Sequence, residues 1–424
     1  MMPLDRSKAP EFQIPDDFSL SSPSKIILNN KASLFFIPTP GQNTVKIEVL
    51  GKSNRSFLDL NETLIPSFTL QMIQEGILNK TGEEIANFFD FHASEVNSAL
   101  SYLHEGFSLL TTKKHLHSVI PVFLSLFTDA IFPEEYLEKK KSQRKLSIKL
   151  EKEKTASKAS QLFRSGLFGS NHPFGLEITE SHVEIISREK LKFYYEELLW
   201  QDIEIFVNGD FDNQEIAHIS DLLGTLPNRP CKKQMSFPEL ETGSNVHESR
   251  ADAVQSSIRI GTWSIDKAHP DFFGVSVFNT ILGGYFGSRL IKNIREDKGH
   301  TYGISSSLAQ IGTYNYWVIG ADVQKAFTQE VIREIYHEID QLVNNPVEAD
   351  ELEVVRNYII GQMLSGFSSS YDLMDRFQAI HHSGLDLDFY TQKLSYLKEF
   401  TAQDILDIGQ KYFSKRPLLE IVVG

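Results

Sequence analysis

What this sequence has least of is cysteine. Cys231 is the single one in 424 residues, so no intramolecular disulfide can form and a reducing compartment is the natural setting. Long apolar runs are missing too: no stretch approaches the roughly 20 residues a membrane helix needs, and no membrane span is expected. The opening residues, Met1-Met2-Pro3-Leu4-Asp5-Arg6-Ser7-Lys8, contain no apolar core of a secretory signal. That gives a cytoplasmic expectation, or a periplasmic one had an upstream segment been trimmed. Positive charge is in deficit: 42 Lys and Arg stand against 56 Asp and Glu, for a net charge of −14. Such a balance argues against a nucleic-acid partner, and solubility accounts for it. The glycines at Gly283, Gly284 and Gly287 lack the lysine and the βαβ setting of a phosphate loop.

What is present is an ordinary globular mixture, 41% hydrophobic and 23% charged. The length suggests two domains of roughly 200 residues each. The two halves rhyme. Phe132-Pro133-Glu134-Glu135-Tyr136-Leu137-Glu138 and Val347-Glu348-Ala349-Asp350-Glu351-Leu352-Glu353 are both acidic helix starts, with Glu138 and Glu353 215 positions apart. The apolar strand ending at Gly209 and the one ending at Gly424 have the same offset. Each strand follows an amphipathic helix opened by a hydroxyl cap, Ser187 to Leu199 and Thr401 to Phe413. The repeat predicts an N-terminal domain over 1–225, a Pro-rich polar linker over 226–249 and a C-terminal domain over 250–424.

Period-2 alternation predicts strands over Lys46–Gly51, Glu95–Leu103, Gly106–Thr111, Ser256–Thr262 and Tyr314–Ala321. Helices are expected over Glu83–Phe91, Leu116–Phe127, Pro133–Phe168, Phe272–Leu282, Phe327–Asn344 and Glu348–Leu364. Adjacent strand pairs without βα alternation give an α+β class: two duplicated domains, each a mainly antiparallel sheet with helices packed on one face.

The run Gly283-Gly284-Tyr285-Phe286-Gly287-Ser288-Arg289, continued by Arg295-Glu296-Asp297-Lys298-Gly299-His300-Thr301-Tyr302-Gly303, closely resembles the second-domain signature of the pitrilysin/insulinase zinc metallopeptidases. That family includes mitochondrial processing peptidase. Weaker likenesses run through Thr81-Gly82-Glu83-Glu84, Phe132-Pro133-Glu134-Glu135 and His172-Pro173-Phe174-Gly175, so the resemblance covers nearly everything from Ser24 onward. It implies the duplicated α+β fold and a peptide-binding chamber closed by two such chains.

Active members carry an inverted motif, H-x-x-E-H, whose two histidines face one Zn²⁺ and whose glutamate is the general base. A glutamate some 75 residues on completes the ligands in the family. Aligned on the glycine that follows, Gly76, the corresponding helix here places Ser67 and Gln71 at the histidine positions and Leu70 at the base. The distant ligand falls on Ser147 or a neighbour. These residues cannot rebuild an N/N/O zinc site, so no metal and no catalytic residue is expected in this chain alone. Elsewhere, His115 with His117, His92 with Glu95, and His381-His382 show no convincing ligand pattern.

The family's second domain presents an arginine and a tyrosine seven residues apart, and here these are Arg295 and Tyr302. Arginine offers fixed donors to peptide carbonyls, and a tyrosine hydroxyl can donate to the oxyanion of a scissile carbonyl. The plainer alternatives are a helix-end arginine that complements the dipole and a core aromatic. A helix over Ser288–Asp297 ending at Gly299 would aim both at one cavity. The strand from Ser94 to Leu103 resembles the family edge strand that pairs with substrate.

The resemblance therefore implies a non-catalytic subunit of a heterodimeric zinc peptidase, inactive alone. It would bind a peptide or unfolded protein and supply Arg295 and Tyr302 to a zinc-bearing homologous subunit. The alternative is a structural or peptide-binding scaffold of the same fold with no peptidase role. A self-sufficient peptidase with another metal arrangement is the least economical reading.

Overall fold

In a computed structural model that describes residues 20–231, 240, 243–414 and 417–424, each half of the sequence builds one sheet. The leader reading of Met1 to Lys8 and the lysines Lys232 and Lys233 of the expected linker lie outside the described residues.

In the first half, β1 (Ser24–Ile27), β2 (Ser33–Pro38) and β3 (Thr44–Lys52) lead into α1 (Ile65–Ile73). A small ribbon of β4 (Gly76–Ile77) and β5 (Lys80–Thr81) precedes α2 (Gly82–Phe91), then β6 (Glu95–Leu100) and β7 (His104–Thr112). Five helices follow: α3 (Leu116–Thr128), α4 (Glu134–Glu153), α5 (Thr155–Phe168), α6 (Glu180–Glu184) and α7 (Arg188–Phe193). The half closes with β8 (Glu204–Gly209) and α8 (Asn213–Leu223). The second half runs β9 (Val246–Glu248), β10 (Gln255–Trp263), α9 (Phe272–Asn279), β11 (Thr301–Ile311) and β12 (Tyr314–Gln324). It ends with α10 (Thr328–Asn344), α11 (Ala349–Ser365), α12 (Ser370–His381), α13 (Asp388–Glu399), α14 (Ala402–Tyr412) and β13 (Leu419–Val423).

The first sheet has the order β1-β2-β8-β3-β7-β6 and the second β11-β12-β10-β13-β9. Matched by sequence order, β2, β8, β3, β7 and β6 correspond to β9, β13, β10, β12 and β11. The 215-residue offset holds in the structure: α4 and α11 begin at Glu134 and Ala349, β8 and β13 at Glu204 and Leu419. Pairing is mostly antiparallel, with β2–β8 and β9–β13 parallel. The fold is α+β, built from two duplicated halves.

Alternation gives each sheet two apolar faces. Val45, Ile47 and Val49 of β3 join Phe107, Leu109, Ile205 and Val207 beneath α1, α3 and α7. Ile258, Ile260, Ile319 and Val323 do the same beneath α9, α10 and α14. The opposite faces are covered by exchange. Met374 and Phe377 of α12, from the second half, pack on Phe35, Leu50 and Phe206 of the first sheet. Phe163 and Leu167 of α5, from the first half, pack on Leu419, Ile421 and Val423 of the second.

Four details depart from the sequence reading. The helix expected over Pro133–Phe168 is two helices, because Lys154 is extended (φ −77°, ψ 121°) and redirects α5 onto the second sheet. The expected linker contains β9, which adds to the second sheet as its edge. The strand expected to reach Leu103 stops at Leu100 before a short turn. The helices expected over Ser187–Leu199 and Phe272–Leu282 finish in wide π turns, Tyr194–Leu198 and Thr280–Gly284.

Candidate functional site

Helix α1 carries Pro66 in its first turn, where a missing N–H costs nothing. Its inner face buries Phe68, Leu70 and Met72. Ser67 and Gln71 lie on the outer face, and across a shallow pocket from them stands Ser147 of α4. The structure thus brings Ser67, Gln71 and Ser147 together. Leu70 does not join them: it is 1% exposed, part of the core under the sheet.

The charged residues lining that pocket are cationic. Lys140 and Arg144 line it, Lys140 paired to Glu75 at 2.7 Å and Arg144 to Glu151 at 2.8 Å. Ser147 donates to Glu151 at 2.6 Å and accepts from Arg144 at 3.2 Å. A zinc site needs imidazole, thiolate or carboxylate donors. Here the lining offers two alcohols and two amides, Gln71 and Gln143, with the carboxylates Glu75 and Glu151 committed to cations. The residues do not fit the metal.

Arg295 sits in a π-helical segment, Ile291–Asp297, with its guanidinium 5.1 Å from the ring centre of Phe286. Three residues on, Lys298 caps the segment and Gly299 takes φ +66°, the left-handed turn expected of it. Tyr302 follows at the start of β11, where the pairing with β12 is irregular between Thr301 and Ile304. It is 90% exposed, so the core-aromatic alternative is excluded. Arg295 and Phe286 are exposed too. An arginine stacked on an aromatic and a solvent-facing tyrosine therefore stand on one helix–turn–strand unit, without any partner in the described residues that their hydroxyl or guanidinium is shown to bond.

Strand β6 is an edge of the first sheet, hydrogen-bonded to β7 alone, with Glu95, Asn97, Ser98 and Leu100 exposed. Asn97 donates to Glu95 at 2.9 Å. Its free backbone can accept an extended peptide by strand addition.

One constellation was missed in the sequence. His104 opens β7, Glu204 opens β8 and His382 caps α12, and their ligand atoms all lie within 4.8 Å of one another. The imidazoles of His104 and His382 stack with centroids 3.7 Å apart. His381 and His382 contact the two carboxylate oxygens of Glu204 at 2.8 and 3.0 Å. Burial raises the Glu204 carboxyl, but hydrogen bonds and charge from both histidines outweigh it and hold the group well below its usual range. Burial, then His382, pushes His104 down to about 4. No local spacing announces this group, because its members come from three distant segments. His115 with His117 and His92 with Glu95 form no such cluster among the described residues, and Glu95 lies on β6 beyond the end of α2.

Comparison with known proteins agrees with the fold. The family model described as "Peptidase M16 inactive domain" matches residues 186–359. An uncharacterized zinc protease of Bacillus subtilis, YmxG, is 22% identical over 74% of this chain and 76% of its own length. A probable inactive metalloprotease of the same organism, YmfF, is 22% identical over 57% of each. The crystal structure of a peptidase M16 inactive domain from Pseudomonas fluorescens superposes with a TM-score of 0.82 at 18% identity, covering 95% of this chain and 98% of that one. These matches support a non-catalytic member of the pitrilysin family, peptidase family M16, and the motif H-x-x-E-H occurs nowhere in the sequence. No described helix is long and apolar enough to cross a membrane.

Proposed function

We propose that this chain is the non-catalytic subunit of a heterodimeric zinc peptidase, holding peptide substrate and presenting Arg295 and Tyr302 to the zinc site of a homologous partner. The observation that carries the reading is a division within one molecule. The pocket of Ser67, Gln71 and Ser147 has no metal donors and is lined by Lys140 and Arg144. Arg295 and Tyr302 are nevertheless held out into solvent on a shaped turn, away from that pocket's lining. An exposed tyrosine gains little stability there, and the arginine only its contact with Phe286; a partner's chamber gives the pair a use.

In that assembly Arg295 donates to substrate carbonyls and the Tyr302 hydroxyl donates to the oxyanion that develops at the scissile carbonyl. Edge strand β6 holds an extended peptide or unfolded segment by main-chain pairing. Zinc and the general base reside in the partner. The single thiol suits a reducing, cytoplasmic setting.

The test mixes this chain with a homologue that carries H-x-x-E-H and follows peptide cleavage. Alone, this chain should cleave nothing; together, the pair should be active. Arg295→Ala with Tyr302→Phe should lower kcat/KM by about 100-fold, the scale of losing an oxyanion donor. Full activity in that double variant would leave only the scaffold reading.

A further inference from the structure

We propose that His104, Glu204 and His382 form a binding site for a divalent transition-metal ion of the zinc class, at the seam where the second half's helix meets the first half's sheet. The site is separate from the pocket of Ser67, Gln71 and Ser147 and does not depend on the proposed peptidase role.

The topology explains why the three converge. β7 and β8 flank β3, with Lys52 paired to His104 and Leu50 to Glu204, so both residues stand at one end of the sheet. Helix α12 lies over that sheet, anchored by Lys46–Asp375 at 2.8 Å and by Thr44–Tyr371 at 2.8 Å, and delivers His382 at its C-terminal end. The donors are two imidazoles and a carboxylate, a set that suits zinc, nickel or copper and not magnesium or calcium. In a tetrahedral zinc site, ligand atoms stand roughly 3.4 Å apart for bonds of about 2.1 Å. The present limit of 4.8 Å closes to that by side-chain rotation, since all three are half-buried and none is locked in the core. His381, on Glu204 at 2.8 Å, would stay outside and orient the carboxylate. Lys52 is a cation near His104, and Asp202 pairs with it at 3.1 Å.

The internal repeat supplies the second argument. In the other half, Trp263 pairs with Tyr316 and Gly261 with Leu419, just as Lys52 pairs with His104 and Leu50 with Glu204. At the 215-residue offset, His382 corresponds to Leu167 of α5. Tyr316, Leu419 and Leu167 belong to one apolar cluster, with Leu167 and Leu419 buried. The fold therefore closes the equivalent seam with hydrocarbon. Placing two imidazoles and a carboxylate at this seam instead removes apolar contact and partly desolvates polar groups, a cost that a bound cation offsets.

The experiment uses the full chain, stripped with a chelator and dialysed, and titrates Zn²⁺ with calorimetry, metal analysis and thermal melting. One equivalent should bind and raise Tm. His381→Ala should weaken binding about tenfold, the scale of losing an orienting partner. The triple variant His104→Tyr, Glu204→Leu, His382→Leu copies the packing of the other half, and it should fold and lose the zinc. Ser67→Ala with Gln71→Ala should leave binding unchanged. Failure of the wild type to bind an equivalent, or unchanged binding by the triple variant, overturns the proposal. If the triple variant does not fold, X-ray absorption of the zinc-loaded wild type decides: two-imidazole scattering supports the site, and its absence overturns it.

Discussion

Glu105, the second residue of β7, is fully buried, yet it carries a carboxylate. Three groups satisfy it: Arg55 Nε at 2.9 Å, Ser53 Oγ at 2.6 Å and the Tyr194 hydroxyl at 2.6 Å. Burial, then the charge of Glu105, pushes the Tyr194 hydroxyl well above its usual range, so it remains a donor throughout ordinary pH. Removing one partner of a buried ion pair leaves an uncompensated charge, so Arg55→Ala should cost roughly 3 kcal/mol. A urea midpoint that does not move would show that Ser53 and Tyr194 suffice. None of this was legible in the sequence: His104 and Glu105 fall between the two strands that alternation picked out. A carboxylate on a strand is ordinary in pattern, and only its long-range partners reveal that it is buried. The same blindness hid the seam histidines. By contrast Arg295 and Tyr302 could be singled out as candidates because one local run holds both, and what the structure adds is that Tyr302 faces solvent.

Elements were easier to read than residues, since periodicity is local. The strands β3, β7, β10 and β12 lie where alternation places them. The merged helix over Pro133–Phe168 went wrong because both pieces are helical and charged, and nothing in the pattern marks Lys154 as extended. At the corresponding point of the second half the break is visible, with Gly366 closing α11 and Ser369 capping α12. Helix ends also lock to one another. Asp271, at the start of α9, accepts from Lys411 and from the Tyr412 hydroxyl at 2.7 Å, tying α9 to the end of α14. The hydrogen bonds from Lys411 and Tyr412 hold the Asp271 carboxyl below its usual value. A carboxyl depressed in the folded state stabilises above its unfolded pKa of about 3.9, and that contribution is lost as pH falls through the folded value. Asp271→Asn should therefore be less stable than the wild type near neutrality, with the gap closing below about pH 4. A gap that stays constant down to pH 2, in denaturant melts at each pH, would show that the ion pair contributes nothing.

At the scale of the whole molecule, the duplication was legible through its single offset, and the exchange of helices was not. The repeat says that two similar halves exist; it does not say which sheet each helix covers. Because α5 covers the second sheet and α12 the first, neither half has a complete core without the other. The two halves should therefore unfold together. Phe163, 3% exposed, is the natural lever, since its ring fills the contact between α5 and the second sheet. Phe163→Ala should cost about 3–5 kcal/mol through lost burial and the cavity left behind. Trp200 is buried in the core of the first half and Trp317 in that of the second, each 1% exposed, so they report on the halves separately. In variants that keep only Trp200 or only Trp317, the Phe163→Ala change should shift both fluorescence midpoints by the same amount. If the Trp200 midpoint stays fixed while that of Trp317 falls, the halves are independent folding units and the exchanged helices are decoration on them.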